Sequence, residues 1–386
     1  MTVDSKPRPD KAKAVETGVT ALVHFNHSTE RDLTTWPDMR SSAWKPNYGD
    51  MLVCVAILRQ LALKRTLRVG FGYAPKGVAQ RAIVRGSTYL HKRFDFAAAN
   101  LTLDALDMPM AIVGLGAQNP EADVTFLDDH PPARDFIARL NEKSVSISVR
   151  GEFTAAVVER LGGRNIRVTG CPSLFYRQTC PEVVVPETLL RPERAIGVSL
   201  HSGLTRNIFC RDPVAALRSH GAAVRWGLEN ALILSLFEQG VMLEYDAADR
   251  SLPLAERRVA AEKVLERIGL TGQVAPERFM AHLVSVKSIE EWLAKARDLD
   301  AVIGFRFHGN MVALLQGRPC QYLTYDSRLE EFCRLYGLPW RDVRQDWADP
   351  VRVIADHDWG ATNRRFAELL AELRAFYAEN GFELTF

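Results

Sequence analysis

Ala301-Val-Ile-Gly-Phe-Arg306-Phe-His308-Gly-Asn310 is the stretch whose reading decides the fold. Its first four residues are an apolar run of strand length, and Met311, Val312, Leu314 and Leu315 then recur at helical spacing. A strand that passes directly into a helix is the β/α junction of an open parallel sheet, and such sheets bind ligands at the carboxyl ends of their strands. Arg306 and His308 fall at that end. Because His308 can be neutral or charged near neutral pH, the position suits proton transfer or anion binding. A purely structural reading stays open beside it: a capping or buried histidine, a solvated Arg306 and an Asn310 bonded locally.

The same alternation runs outward in both directions. Strands are expected at Val19–Phe25, Thr66–Phe71, Phe94–Ala98, Met110–Gly114, Ser144–Val149 and Ile166–Thr169, with helices at Met51–Leu63, Pro132–Glu142 and Glu152–Leu161. Pro181, Pro186 and Pro192 mark a linker. Strands then resume at Ala195–Leu200, Val241–Tyr245, His282–Val286, Val302–Gly304 and Gln321–Thr324. The helices between them are expected at Pro213–Arg218, Leu254–Ile268, Ile289–Arg297, Gly309–Leu315 and Leu329–Tyr336. Phe366, Leu369, Leu370, Leu373 and Phe376 give Asn363–Asn380 a helical stripe. The fold class is therefore α/β; two such domains joined by a linker resemble the GT-B glycosyltransferase architecture, which implies two Rossmann-like β/α domains facing across a cleft, and a C-terminal helix is expected to pack back across them. The expected division is a disordered tail over 1–16, an N-terminal β/α domain over 17–180, a linker over 181–194, a C-terminal β/α domain over 195–345 and a helical extension over 346–386.

Composition narrows the function. A chain of 386 residues with 47% hydrophobic and 25% charged residues is a globular protein large enough for two cores. A formal charge of +2 argues against a nucleic-acid partner. Six cysteines without CxxC or framework spacing fit a reducing cytoplasm. The polar start has no signal-peptide core, and no apolar run reaches membrane-span length, so a cytoplasmic protein is expected, with peripheral association at the inner membrane face left open. Scattered histidines give no metal motif, and no metal or cofactor is expected. The oligomeric state is not readable.

Three further stretches could carry chemistry. Asn47-Tyr-Gly49-Asp50 opens a helix; capping by Asn47 or Asp50 accounts for it, and the free amides there also suit an anion. Val113-Gly114-Leu-Gly116 lets the backbone turn sharply, either for a structural turn or for close ligand approach, but lacks the third glycine of a dinucleotide fingerprint. Ser146-Ile-Ser-Val-Arg150-Gly-Glu152 ends a strand in an arginine, which can clamp a carboxylate or phosphate or pair with Glu152.

Together with V-T-G-C-P-S-L before Phe175 and Tyr325-Asp-Ser-Arg328, these landmarks occur in the order found in the polysaccharide pyruvyl transferase family, which the chain resembles over about residues 47 to 340. The resemblance implies transfer of the carbons of phosphoenolpyruvate to a sugar as a cyclic ketal. It implies that His308 is the essential histidine and that Arg150 helps hold the donor, joined by Arg328 and Arg306. Asn47, Gly49, Asp50, Gly114, Gly116 and Asn310 complete the substrate-binding set. The acceptor would be a glycan or lipid-linked saccharide.

Two departures from the family matter. Arg328 stands where a lysine is common, so charge is kept but proton donation is not, because arginine does not titrate in proteins. The segment 26–46 is longer than the family's usual turn, and its Trp36 and Trp44 could stack on a sugar or merely pack. Two rivals stay open: a GT-B glycosyltransferase with a nucleotide-sugar donor, and a non-catalytic glycan-binding family member.

Overall fold

The computed structural model describes residues 18–25, 47–73, 79–230, 232–235, 242–286 and 288–386. The expected tail 1–16 and the 26–46 segment with Trp36 and Trp44 lie outside the described residues.

The α/β class holds. The first sheet contains β1 (Val19–Val23), β2 (Arg65–Val69), β3 (Arg81–Arg85) and β5 (Met110–Val113), all parallel, in the order β2-β1-β3-β5. Two short parallel pairs extend it: β4 (Thr88–Leu90) with β6 (Gly116–Ala117), and β7 (Ile147–Val149) with β8 (Ile166–Val168). The second sheet orders β9 (Ala195–Ser199), β10 (Leu232–Ser235), β11 (Ala301–Gly304), β12 (Cys320–Thr324) and β13 (Trp340–Asp342) as β10-β9-β11-β12-β13, again all parallel. Parallel strands are covered on both faces, which is why β5 and β11 are buried at every residue.

Several expectations are corrected. Phe94–Ala98 is not a strand: Asp95 accepts from the Ala98 amide (2.9 Å) and caps the helix Phe96–Ala105, where the run Ala97 to Ala99 favours helix. Of the expected strand Val241–Tyr245, Met242 to Tyr245 belong instead to the helix Met242–Ala248, and Val241 lies outside the described residues. His282–Val286 is a connection after the helix Pro276–Ala281. The expected short helix at Pro213–Arg218 runs on to Asn230. The central strand β3 was not expected, because its apolar centre Ala82-Ile83-Val84 is brief and flanked by arginines.

The two sheets share a core. The helix Tyr48–Gln60, buried from Met51 to Ile57 without a break, packs in the same apolar cluster as Val302 and Met311 of the second half, and Tyr48 meets Trp292 edge-on at 6.2 Å. The C-terminal helix, Trp359–Glu379, touches both halves. Arg167 donates to Glu379 (2.6 Å), Tyr377 donates to Gln60 (3.0 Å), and Arg365 donates to the Leu335 carbonyl (2.9 Å). The proline-rich segment is pinned to it as well, through Asn363 and the backbone of Val183.

Candidate functional site

Strand ends from both sheets converge on His308. It lies in the first turn of the helix Phe307–Leu314, is buried, and follows Arg306 at the N-cap. Ser199 at the end of β9 fixes this turn. An added Cβ at Gly304 would lie 2.4 Å from the Ser199 Oγ, and one at Gly309 would lie 2.8 Å from the Ser199 Cβ, so only glycine permits this approach. Asn310 accepts from Ser199 (2.5 Å) and donates to the Gln321 carbonyl (3.0 Å). Its amide is used to join three strands.

Arg150 follows β7 and is buried. Its Nε donates to the Gly114 carbonyl (2.8 Å), Nη2 to the Gly86 carbonyl (3.3 Å) and Nη1 to the Thr88 hydroxyl (3.5 Å). It forms no ion pair with Glu152 or any other described acid. The V-G-L-G stretch thus serves this arginine. Gly114 (φ +70) turns its carbonyl to it, and a Cβ on Gly116 would lie 3.0 Å from the Arg150 Cδ.

Sequence reasoning missed Cys171. It follows β8 in the V-T-G-C-P-S-L landmark, fully buried, with Sγ 3.8 Å from His308 Nε2 and 3.1 Å from Ser173 Oγ. Its amide donates to the Tyr336 hydroxyl (2.6 Å). Burial pushes this thiol up, but the Arg150 charge and the His308 contact outweigh it and bring it down to about 7. The only signal in the sequence was its place in an ordered landmark; a single cysteine carries no spacing.

Asp50 faces the same charges. Asn47 caps the helix by accepting from the Asp50 amide (3.2 Å), and buried Gly49 sits between them. The Asp50 carboxylate pairs with buried Arg85 at 2.8 Å. Burial alone would raise its pKa. Arg85, Arg150, His308 and His24 together hold it below the usual carboxylate range. His24 accompanies Arg85 (Nη2 to Nδ1, 3.1 Å), and burial first, then the Arg85 charge, lowers it to about 4, so it is neutral at pH 7.

Arg306 looks the other way. Its Nε donates to the Leu200 carbonyl (2.5 Å) and its Nη2 lies 3.7 Å from the fully buried Glu244, which also accepts from the Ser202 amide (2.7 Å). Two histidines adjoin it. Burial and then the Arg306 charge lower His220 to about 3, and His201 is likewise lowered by burial, Arg306, His220 and Arg328. Arg328 is half-buried in the first turn of the helix Ser327–Tyr336, capped by Asp326. The structure therefore brings Arg150, Cys171, His308 and Asp50 into one neighbourhood, and groups Arg306 and Arg328 around His201. Among the described residues no group of three His, Cys, Asp or Glu could hold a metal, and no helix is long and apolar enough to cross a membrane.

No curated protein matches the chain. Among solved structures it is similar to the Methanocaldococcus jannaschii UDP-GlcNAc 2-epimerase in complex with UDP-GlcNAc and UDP, with 11% identity over 92% of this chain and 99% of that one, at a TM-score of 0.43. It is also similar to S. aureus MnaA with UDP (11% identity, 95% and 91% covered, TM-score 0.42) and to the glycosyltransferase SnogD from Streptomyces nogalater (16%, 77% and 69%, 0.33). The family model for polysaccharide pyruvyl transferase matches residues 47–327, from the N-Y-G-D cap through the His308 turn to Ser327, and the chain belongs to that family.

Proposed function

We propose that the chain transfers pyruvate from phosphoenolpyruvate to a sugar of a polysaccharide or its precursor, forming a cyclic ketal. The observation that carries this reading is Arg150: a buried guanidinium held by carbonyls, without a carboxylate, beside His308 and Cys171. A buried charge normally has a counter-ion. Here the missing counter-charge would be the donor's carboxylate or phosphate, which Arg328 would approach from the His201 side while Arg306 stays with Glu244.

The chemistry needs few groups. Protonation of the donor's methylene carbon creates an oxocarbenium-like centre at C2. A sugar hydroxyl, losing its proton, attacks that carbon; phosphate leaves, and a second hydroxyl closes the ring. His308 would move the protons, a role worth ~10²–10⁴-fold in rate. The arginines would stabilise the departing phosphate, and Asp50 with the amides behind Asn47 and Gly49 would line the acceptor side. The proposed division of labour is acceptor binding by residues 17–180 and donor binding by 195–345, with Arg150 reaching across. The acceptor would be a glycan or lipid-linked saccharide, met in the cytoplasm or at the inner membrane face.

The test is to incubate the protein with phosphoenolpyruvate and a panel of glycans. Phosphate release together with a new ketal methyl resonance is expected. Folded protein giving neither, while nucleotide sugars raise its melting temperature, would replace this reading with glycosyl transfer.

A further inference from the structure

A second cavity opens on the opposite face of the second sheet. Tyr322 of β12 faces the His308 helix, its hydroxyl donating to the Phe307 carbonyl (3.0 Å), so its neighbours Gln321 and Leu323 face the helix Pro213–Asn230. Between that helix, β13 and the residues that follow β13 lies a space of about 440 Å³. Small-molecule sites run from about 300 to 1,000 Å³.

Its walls present donors in excess. Gln321 lines the cavity, is 1% exposed, and its Nε2 has no hydrogen-bond partner among the described residues. The buried Nε of Arg341 is in the same state. Arg218 forms no ion pair with a described residue, and Arg225 donates only to the neutral Gln273 (2.7 Å). The acids do not balance them: Asp342 is already taken by Arg211 and Arg344, which leaves Asp346. A buried amide without a partner is costly, and a ligand oxygen relieves that cost. Trp347 supplies a flat apolar wall, backed by Trp226 at 6.3 Å.

We propose that this cavity binds a saccharide bearing an oxyanion, carboxylate or phosphate, with the sugar ring against Trp347 and the oxyanion among Arg218, Arg341 and the Gln321 amide. The site is separate from the His308 neighbourhood, so its occupant is a second ligand rather than the transferred group.

Ligand-observed NMR titration of the full chain tests this with glucuronate, glucose 1-phosphate, glucose and inorganic phosphate. Both sugar acids, or one of them, should bind, with glucose and inorganic phosphate weaker by about tenfold, the scale of one charge-assisted contact. Binding of one alone assigns the oxyanion. Arg341→Met and Trp347→Ala should each weaken the sugar acid by about tenfold, whereas Arg150→Met should leave it unchanged. Should Arg341→Met unfold, exposed Arg218→Met carries the same expectation. Three results would overturn the proposal: glucose or inorganic phosphate binding as tightly as the sugar acids, weakening by Arg150→Met instead of the cavity variants, or no binding by either acid.

Discussion

Arg150 and Arg306 are both buried arginines at strand ends, one on each side of His308, yet they are neutralised differently. Arg306 has Glu244 at 3.7 Å and shapes only its own surroundings, holding His201 and His220 neutral. Arg150 has carbonyls and a hydroxyl. Its charge has no ion-pair partner and reaches outward, holding Asp50 and Cys171 down and restraining the rise of Glu331. An arginine bonded to carbonyls keeps its field; one bonded to a carboxylate spends it locally. The Arg150 side is therefore where an incoming anion gains most.

The largest expected effect follows from that difference. Arg150→Met should cut phosphate release from phosphoenolpyruvate by about 10²–10³-fold, as loss of a charge stabiliser does, with melting temperature held or raised because a buried cation is gone. Arg306→Met should do the reverse. It strands Glu244 in the interior and should cost about 3–5 kcal/mol in urea unfolding, and adding Glu244→Gln should restore most of it. If Arg306→Met is as stable as the parent and only turnover falls, the two arginines are equivalent and the contrast is broken.

How far the sequence could anticipate this pair depends on range. Arg150, His308 and Arg306 were legible because each ends an apolar strand before a helix, a signal within about ten residues. The fold class was legible for the same reason. What joins those ends was not. Glu244 sits in a segment whose apolar spacing suggested a strand, and β3, which carries the buried Arg85, reads as two arginines around three small apolar residues. Gly86, whose carbonyl holds Arg150, lies 64 residues before it, a distance no local pattern spans. The glycines of V-G-L-G could be read as a sharp turn, but that the turn seats an arginine required the second strand end.

Cys171 sharpens the comparison on the Arg150 side. A thiolate beside His308 favours the charged imidazole, so removing it should let His308 lose its proton at lower pH. Cys171→Ser should shift the turnover–pH profile downward, with turnover at the optimum changed less than tenfold. A profile unmoved by the substitution would show that the thiol only packs there.

The smallest effect reads the Arg150 field through stability rather than rate. Glu331, on the helix Ser327–Tyr336, caps the helix Glu152–Arg160 of the other half, accepting from the Thr154 amide (2.6 Å) and hydroxyl (2.9 Å). Gly151 makes room for it, since a Cβ there would lie 2.3 Å from the Glu331 Cγ. Burial raises this carboxyl from 4.5 to about 7, while the Thr154 bonds and the Arg150 charge restrain the rise. Between those two values the folded chain holds a proton that the unfolded chain has released. The carboxyl's stabilising contribution is thus full below 4.5 and lost as pH climbs through 7. Glu331→Gln keeps the shape and cannot titrate. Urea midpoints should therefore move in the variant's favour, relative to the parent, from about pH 5 to about pH 7 and stay level above that. In an Arg150→Met background the same window should end at higher pH, because the restraining charge is gone. A difference that is constant with pH, or a window that Arg150→Met leaves in place, would mean that the field of Arg150 stops short of the contact between the two halves.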